Sequence, residues 1–212
     1  MELRLASHAF SISDFVIYVA DADADAIPES AQIAEVTPDP ELLTRIRADR
    51  PGLVIAVAAP TPVIAYACAE AGAALLVGDH LTAVAAVTGT GLVCSEPAHA
   101  ISQGVRADGL LVDVKSVADA EEVVRTGHTV LVTPASTPSG DLSTPATGGR
   151  NAAPAAMTAD PAVLATAAVY GWVGAKVFRV PAQDVAVTRE ALDMIASIKG
   201  KRPPTVSRRG LV

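Results

Sequence analysis

The sequence predicts an α/β protein, a compressed (β/α)8 TIM barrel, and three observations predict it. Eight short runs rich in Val, Leu and Ile recur along the 212 residues. The runs are continuous rather than alternating, as in strands buried on both faces of a parallel sheet. Between most of them lie helical stretches with start and stop signals, and eight units in 212 residues average about 26 residues each, near the lower size limit for such barrels. An open doubly wound sheet is the alternative. It would carry a Gly-rich fingerprint after a strand, and none is present.

The runs are FVIYVA (15–20), AQIAEV (31–36), LVIAVAA (53–59), AALLVGD (73–79), GLVCS (91–95), GLLVDV (109–114), TVLVTP (129–134) and AKVFRV (175–180). Helices are expected at 40–50 after Asp39, 62–71 between Thr61 and Gly72, and 81–88 after Asp79 and His80 with Gly89 as stop. Three more are expected at 117–126 between Ser116 and Gly127, 161–173 between Asp160 and Gly174, and 185–199 between Asp184 and Gly200. Asp, Ser or Thr before a helix, Pro in its first turn and Gly after it form the asymmetry of helix ends. The connections after the first and fifth strands are too short for full helices. The chain reads as one domain, 1–212. A Ser/Thr/Pro/Gly/Ala-rich loop at 135–157 follows strand seven, of a length that marks a functional lid or a disordered segment. A basic tail spans 201–212.

Composition narrows the function. Net charge is −7 and the pI about 5.0, against a general nucleic-acid binder. Aromatics are 3% of residues, too few for a surface of rings stacking on single strands. No stretch approaches a membrane span. The first apolar run is cut short by Asp21, Asp23 and Asp25, so no signal peptide is expected. Cys68 and Cys94 read as buried small hydrophobes, and a cytoplasmic protein follows.

In a parallel barrel, ligands bind at the C-terminal ends of the strands. The candidates there are Asp79, Glu96, Asp113, Lys115 and Arg179. A carboxylate on the inner rim accepts paired N–H bonds from a flat amidine-like edge, which singles out Asp113. A guanidinium binds anions or stacks on rings, which singles out Arg179. Against this stand plainer uses: Asp113 and Arg179 pairing with each other, Asp113 ordering the turn into Ser116, and Asp79 capping the next helix. The Asp21–Asp25 run departs from a calcium loop, with Ala26 and Gln32 where Gly and Glu belong, and reads as a solvated acidic turn. His8, His80, His99 and His128 show no zinc spacing, so no metal is assigned.

The stretch AKVFRVPAQDVAVTREALDMIASIKGKRPPT resembles the last strand and helix of the dihydropteroate synthases, which read Arg-Val-His-Asp-Val-x-x-Thr-Arg. YACAEAGAALLVGD resembles the family's third helix and fourth strand. GTGLVCSEP resembles strand five, in particular that of the paralogues regarded as inactive. The resemblance covers 160–205 well and 40–133 loosely. It implies a (β/α)8 barrel, dimeric through its last helices, that joins p-aminobenzoate to a hydroxymethyl-dihydropterin pyrophosphate and releases pyrophosphate with magnesium. Carried over, Asp113 sits at the strand-six aspartate that grips the pterin, Arg179 at the Arg-x-His arginine and Asp79 at the aspartate of Asn-Asp.

The departures are many. The strand-one Asn-x-Thr-Pro-Asp-Ser-Phe loop and the strand-two Gly-Gly-Glu-Ser-Thr are missing. Ala58 replaces the strand-three aspartate, and Gly78 the asparagine before Asp79. Pro134, Ala135 and Ser136 replace the Ser-Arg-Lys after strand seven, and Pro181 the histidine after Arg179. Losing two anion contacts at about 1.5–3 kcal/mol each lowers affinity or rate on the order of 10²- to 10⁴-fold. The expectation is a transferase-type barrel whose family activity is lost or weakened, keeping a pocket for a small planar ligand such as a pterin. The alternatives are an enzyme with rebuilt acid–base chemistry on Glu96, Asp79 and Lys115, and a regulatory partner of an active paralogue. For the latter, Val163, Leu164, Ala167, Val169, Leu192 and Ile195 on the helices at 161–173 and 185–199 would supply apolar faces, although plain packing within the chain is the more ordinary use of such residues.

Overall fold

The structure, a computed structural model, describes residues 2–5, 8–11, 15–134 and 160–201. The predicted loop 135–157 and all of the basic tail but Lys201 lie outside the described residues. All eight predicted runs are strands, preceded by a hairpin of β1 (Glu2–Leu5) and β2 (His8–Ser11). The barrel strands are β3 (Val16–Val19), β4 (Ile33–Val36), β5 (Val54–Val57), β6 (Leu75–Val77), β7 (Gly91–Cys94), β8 (Leu110–Val114), β9 (Thr129–Val132) and β10 (Val177–Val180). They close in the order β10-β3-β4-β5-β6-β7-β8-β9, every pair parallel. The open doubly wound alternative is thereby excluded. Followed strand by strand from Leu131, the register returns eight residues out of step, at position 123. That is the shear of a TIM barrel.

Strand residues alternate between two cores, as the period of two requires. Val16, Tyr18, Ile33, Val54, Leu75, Val93, Leu111, Leu131 and Val177 fill the barrel. Their neighbours, among them Ile17, Ile55, Leu92 and Val112, pack outward under the helices. The interior core also takes in Leu3 and Leu5 of the hairpin, which the sequence reading missed. They close the N-terminal end of the barrel as a floor.

The helices are α1 (Pro40–Asp49), α2 (Pro62–Ala71), α3 (Thr82–Thr88), α4 (Pro97–Ser102), α5 (Val117–Arg125), α6 (Pro161–Val173) and α7 (Val185–Ile198). Asp39, Thr61, Ser116 and Asp160 cap α1, α2, α5 and α6 with their side chains, as predicted. Gly72 and Gly89 end α2 and α3 at positive φ. Asp184 makes no side-chain cap, because a 3-10 turn at Ala182–Asp184 already leads into α7. The fifth connection does hold a helix, the six-residue α4. Of the residues named for a dimer face, Val163, Ala167 and Leu192 are buried within this chain in plain intramolecular packing, whereas Val169 is exposed, as are Trp172, Met194 and Ile198. Among the described residues no helix is long and apolar enough to cross a membrane.

Candidate functional site at the barrel mouth

Two residues beyond Val16, Ile33, Leu111 and Val177, the strand period returns to the interior face at Tyr18, Glu35, Asp113 and Arg179. Glu35, Asp113 and Arg179 sit toward the C-terminal ends of parallel strands and so share one mouth, with Tyr18 level with Arg179. Asp113 and Arg179 do not pair with each other, because each has another partner. Arg179 Nη2 lies 2.5 Å from Glu35 Oε2. The same oxygen accepts the Tyr18 hydroxyl at 2.7 Å, and the guanidinium stands 5.5 Å from the Tyr18 ring centre. Burial first, then the Glu35 carboxylate, push the Tyr18 phenol well above its ordinary pKa, so it stays a donor. Among the described residues Glu35 is the one charged residue that is buried, at 5% exposure.

Asp113 Oδ2 accepts from Lys115 Nζ at 2.5 Å, but the lysine side chain is 79% exposed. An exposed partner of this kind contributes little. The other Asp113 oxygen, Oδ1, is buried and has no hydrogen-bond partner among the described residues, and the same holds for Arg179 Nε. These are a buried acceptor and a buried donor, both unpaired among the described residues.

Asp79 does not cap α3. Its carboxylate reaches to the end of β7, where Oδ1 accepts the Ser95 amide at 3.0 Å and Oδ2 the Ser95 hydroxyl at 2.6 Å. Burial raises its pKa, but the Ser95 side chain and backbone, the Glu96 amide and the nearby His99 together outweigh that and hold it below the ordinary value. Glu96 is exposed at the start of α4 and makes no side-chain cap. Asp79 and Glu96 thus meet at the Ser95 corner, while Lys115 belongs to Asp113. They form no single acid–base set.

Two pockets lie near the C-terminal ends of the strands, the second between β8 and α5, and Arg179 lines neither. One, about 410 Å³, is lined by Asp21, Asp23, Glu35, Thr37 and Ala58. The other, about 360 Å³, is lined by Ser95, Asp113, Lys115 and Glu122. Among the described residues no three His, Cys, Asp or Glu side chains gather to hold a metal ion. Asp23 and Asp25 are taken up locally, by an amide in the turn and by Arg45.

Solved structures of similar architecture span nearly the whole chain. Dihydropteroate synthase from Thermus thermophilus, in complex with 4-aminobenzoate, superposes with a TM-score of 0.68 over 93% of this chain and 100% of that one, at 18% identity. The fold is that of the dihydropteroate synthases. The Yersinia pestis dihydropteroate synthase gives a TM-score of 0.69 at 14% identity, over 94% of this chain and 100% of that one. Rv1207 of Mycobacterium tuberculosis gives 0.72 at 23%, over 96% and 99%. No family model matches the sequence. Over 48 residues the chain is 52% identical to inactive dihydropteroate synthase 2 of M. tuberculosis and M. bovis. That segment is 23% of this chain, which spans 14% of the length of those curated relatives.

The sequence reading missed Tyr18 and Glu35. The signal was present: Glu35 is a lone acid in the apolar run AQIAEV, at the parity of Ile33.

Proposed function

We propose that this chain is a divergent dihydropteroate-synthase-like protein that has lost, or kept only weakly, the family's transfer of p-aminobenzoate to a hydroxymethyl-dihydropterin pyrophosphate. In this reading it retains a mouth for a small planar ligand such as a pterin. The observation that carries the reading is the buried Oδ1 of Asp113, an acceptor without a partner among the described residues, placed where the resemblance puts the pterin-gripping aspartate. A buried acceptor left open costs about 1–3 kcal/mol, which a ligand N–H would recover. The weakened chemistry rests on Ala58 in the pocket beside Glu35 and on Pro181 after β10. Neither supplies the polar contact of the residue it replaces.

Two assays test this together. Calorimetry with 6-hydroxymethyl-7,8-dihydropterin is expected to show binding that Asp113→Asn weakens by about tenfold or more, the worth of one charge-assisted bond. Pyrophosphate release with the family substrates is expected at background. Turnover, or growth of cells lacking dihydropteroate synthase when they express this chain, would overturn the loss. An affinity indifferent to Asp113→Asn would overturn the site.

A second reading has its own observation. Val169 and Trp172 on α6 and Met194 and Ile198 on α7 leave four large apolar side chains exposed on two helices packed against each other. This favours a homodimer, or pairing with an active paralogue, through these helices. Both cysteines are buried and free, which supports a reducing, cytoplasmic setting.

A further inference from the structure

We propose that Glu35 sets the charge of the ligand. By holding Arg179 inside the barrel it bars a diphosphate and leaves the mouth to an uncharged planar molecule that donates an N–H to Asp113 and accepts one from Arg179 Nε. This rests on the mouth being a ligand site, and it names the class of ligand.

The Glu35 carboxylate is gripped from two sides, by Arg179 Nη2 and by the Tyr18 hydroxyl on the same oxygen. Its side chain is 7% exposed, and Tyr18 is fully buried. A buried pair opened on one side leaves an uncompensated charge. A diphosphate at Arg179 must either push Glu35 away or share one guanidinium with it. Asp21 and Asp23 line the same pocket as Glu35 and add repulsion. Lys115, the cation beside Asp113, is already paired with it.

What stays unpaired is neutral overall: one acceptor, Asp113 Oδ1, and one donor, Arg179 Nε, both buried, so a ligand reaches them only as the side chains covering them move aside. They rise from β8 and β10, with β9 between, hence about 10 Å apart at the backbone. A heterocycle with N–H on one edge and a ring carbonyl on another matches this pair. An anion does not.

The test measures binding of inorganic pyrophosphate, of 6-hydroxymethyl-7,8-dihydropterin and of the diphosphate ester of that alcohol by calorimetry. The native chain is expected to bind the alcohol about tenfold or more tightly than the ester, and to bind no pyrophosphate at about 1 mM. Glu35→Gln, checked for fold by circular dichroism, is expected to gain pyrophosphate affinity by about tenfold or more, a gain that adding Arg179→Met removes. Tyr18→Phe loosens the same carboxylate, keeps both charges and should move in the same direction. Pyrophosphate binding by the native chain that Arg179→Met abolishes would overturn the proposal. So would folded Glu35→Gln and Tyr18→Phe variants without any gain. If both pterins fail to bind while the pyrophosphate series behaves as expected, the pterin reading falls and the role of Glu35 stands.

Discussion

Leu5 and Gly91 meet at the floor of the barrel, so closely that a Cβ on Gly91 would lie 2.6 Å from Leu5 Cδ2 and 2.9 Å from the Gly109 carbonyl oxygen. Gly91→Ala therefore forces the hairpin or the strand to move, at about 1–3 kcal/mol, the usual range for overpacking. Leu5→Ala empties a fully buried position and should cost about 2–5 kcal/mol. The two changes share one space. In urea unfolding, the double variant is expected to be more stable than the sum of the singles implies, and strict additivity would mean that the floor is not packed as described.

The buried pair of Glu35 and Arg179 makes a second prediction. Removing one partner, as in Arg179→Met, strands the other charge and should cost about 3–5 kcal/mol. Glu35→Met/Arg179→Met together should be more stable than either single variant. Denaturant midpoints at pH 7 decide this.

Titration separates the tyrosines. Burial, then Glu35, hold the Tyr18 phenol well above its ordinary pKa. A group whose folded pKa is raised stabilises fully below its unfolded value, about 10, and that contribution is lost as pH rises from there through the folded pKa. Burial, then Asp119, raise the Tyr170 phenol as well, so the absorbance of phenolate is expected to show a step that coincides with alkaline unfolding, and Tyr18→Phe should reduce its amplitude.

Asp79 titrates in the opposite sense. Its folded pKa is depressed, so its contribution is present above the ordinary carboxylate value, about 4, and is lost as pH falls from there through the folded pKa. Because Asp79 is exposed, the effect on stability is small. The sharper readout is NMR, in which Ser95→Ala is expected to move the Asp79 midpoint upward.

The thiols should be silent. Burial, then Asp79, push the Cys94 thiol up to about 12, and burial, then Asp39, raise that of Cys68. Neither offers much thiolate at neutral pH, and the thiolate is the reactive form. Labelling with a maleimide at pH 7 should wait for unfolding. Prompt native labelling would contradict the burial of both.

The barrel was legible because its strands are buried on both sides, so each appears as an unbroken apolar run, and because most helix ends carry their own punctuation. The hairpin was not legible. Its two four-residue strands lack a turn dipeptide, and what orders them is the barrel opening that receives Leu3 and Leu5. For the same kind of reason Asp113 and Arg179 could be assigned to the mouth by position but not to partners. Which carboxylate takes the guanidinium depends on β10 lying beside β3, with β4 next, a neighbourhood made by closure. Asp79 shows the limit of local reasoning: a residue at a helix start looks like a cap until the adjacent strand offers it Ser95.

The pairing of Val177 with Val16 joins positions 161 residues apart, and it is the seam of the cylinder. During synthesis every other rung can form with a neighbour already made, whereas this one must wait until almost the whole chain has left the ribosome. Until then β3 and β9 present two bare edges, each a template for another nascent chain. Shortened forms that stop before β10 are thus expected to be sticky rather than merely unstable, and the late seam makes the final quarter of the chain the guardian of its solubility.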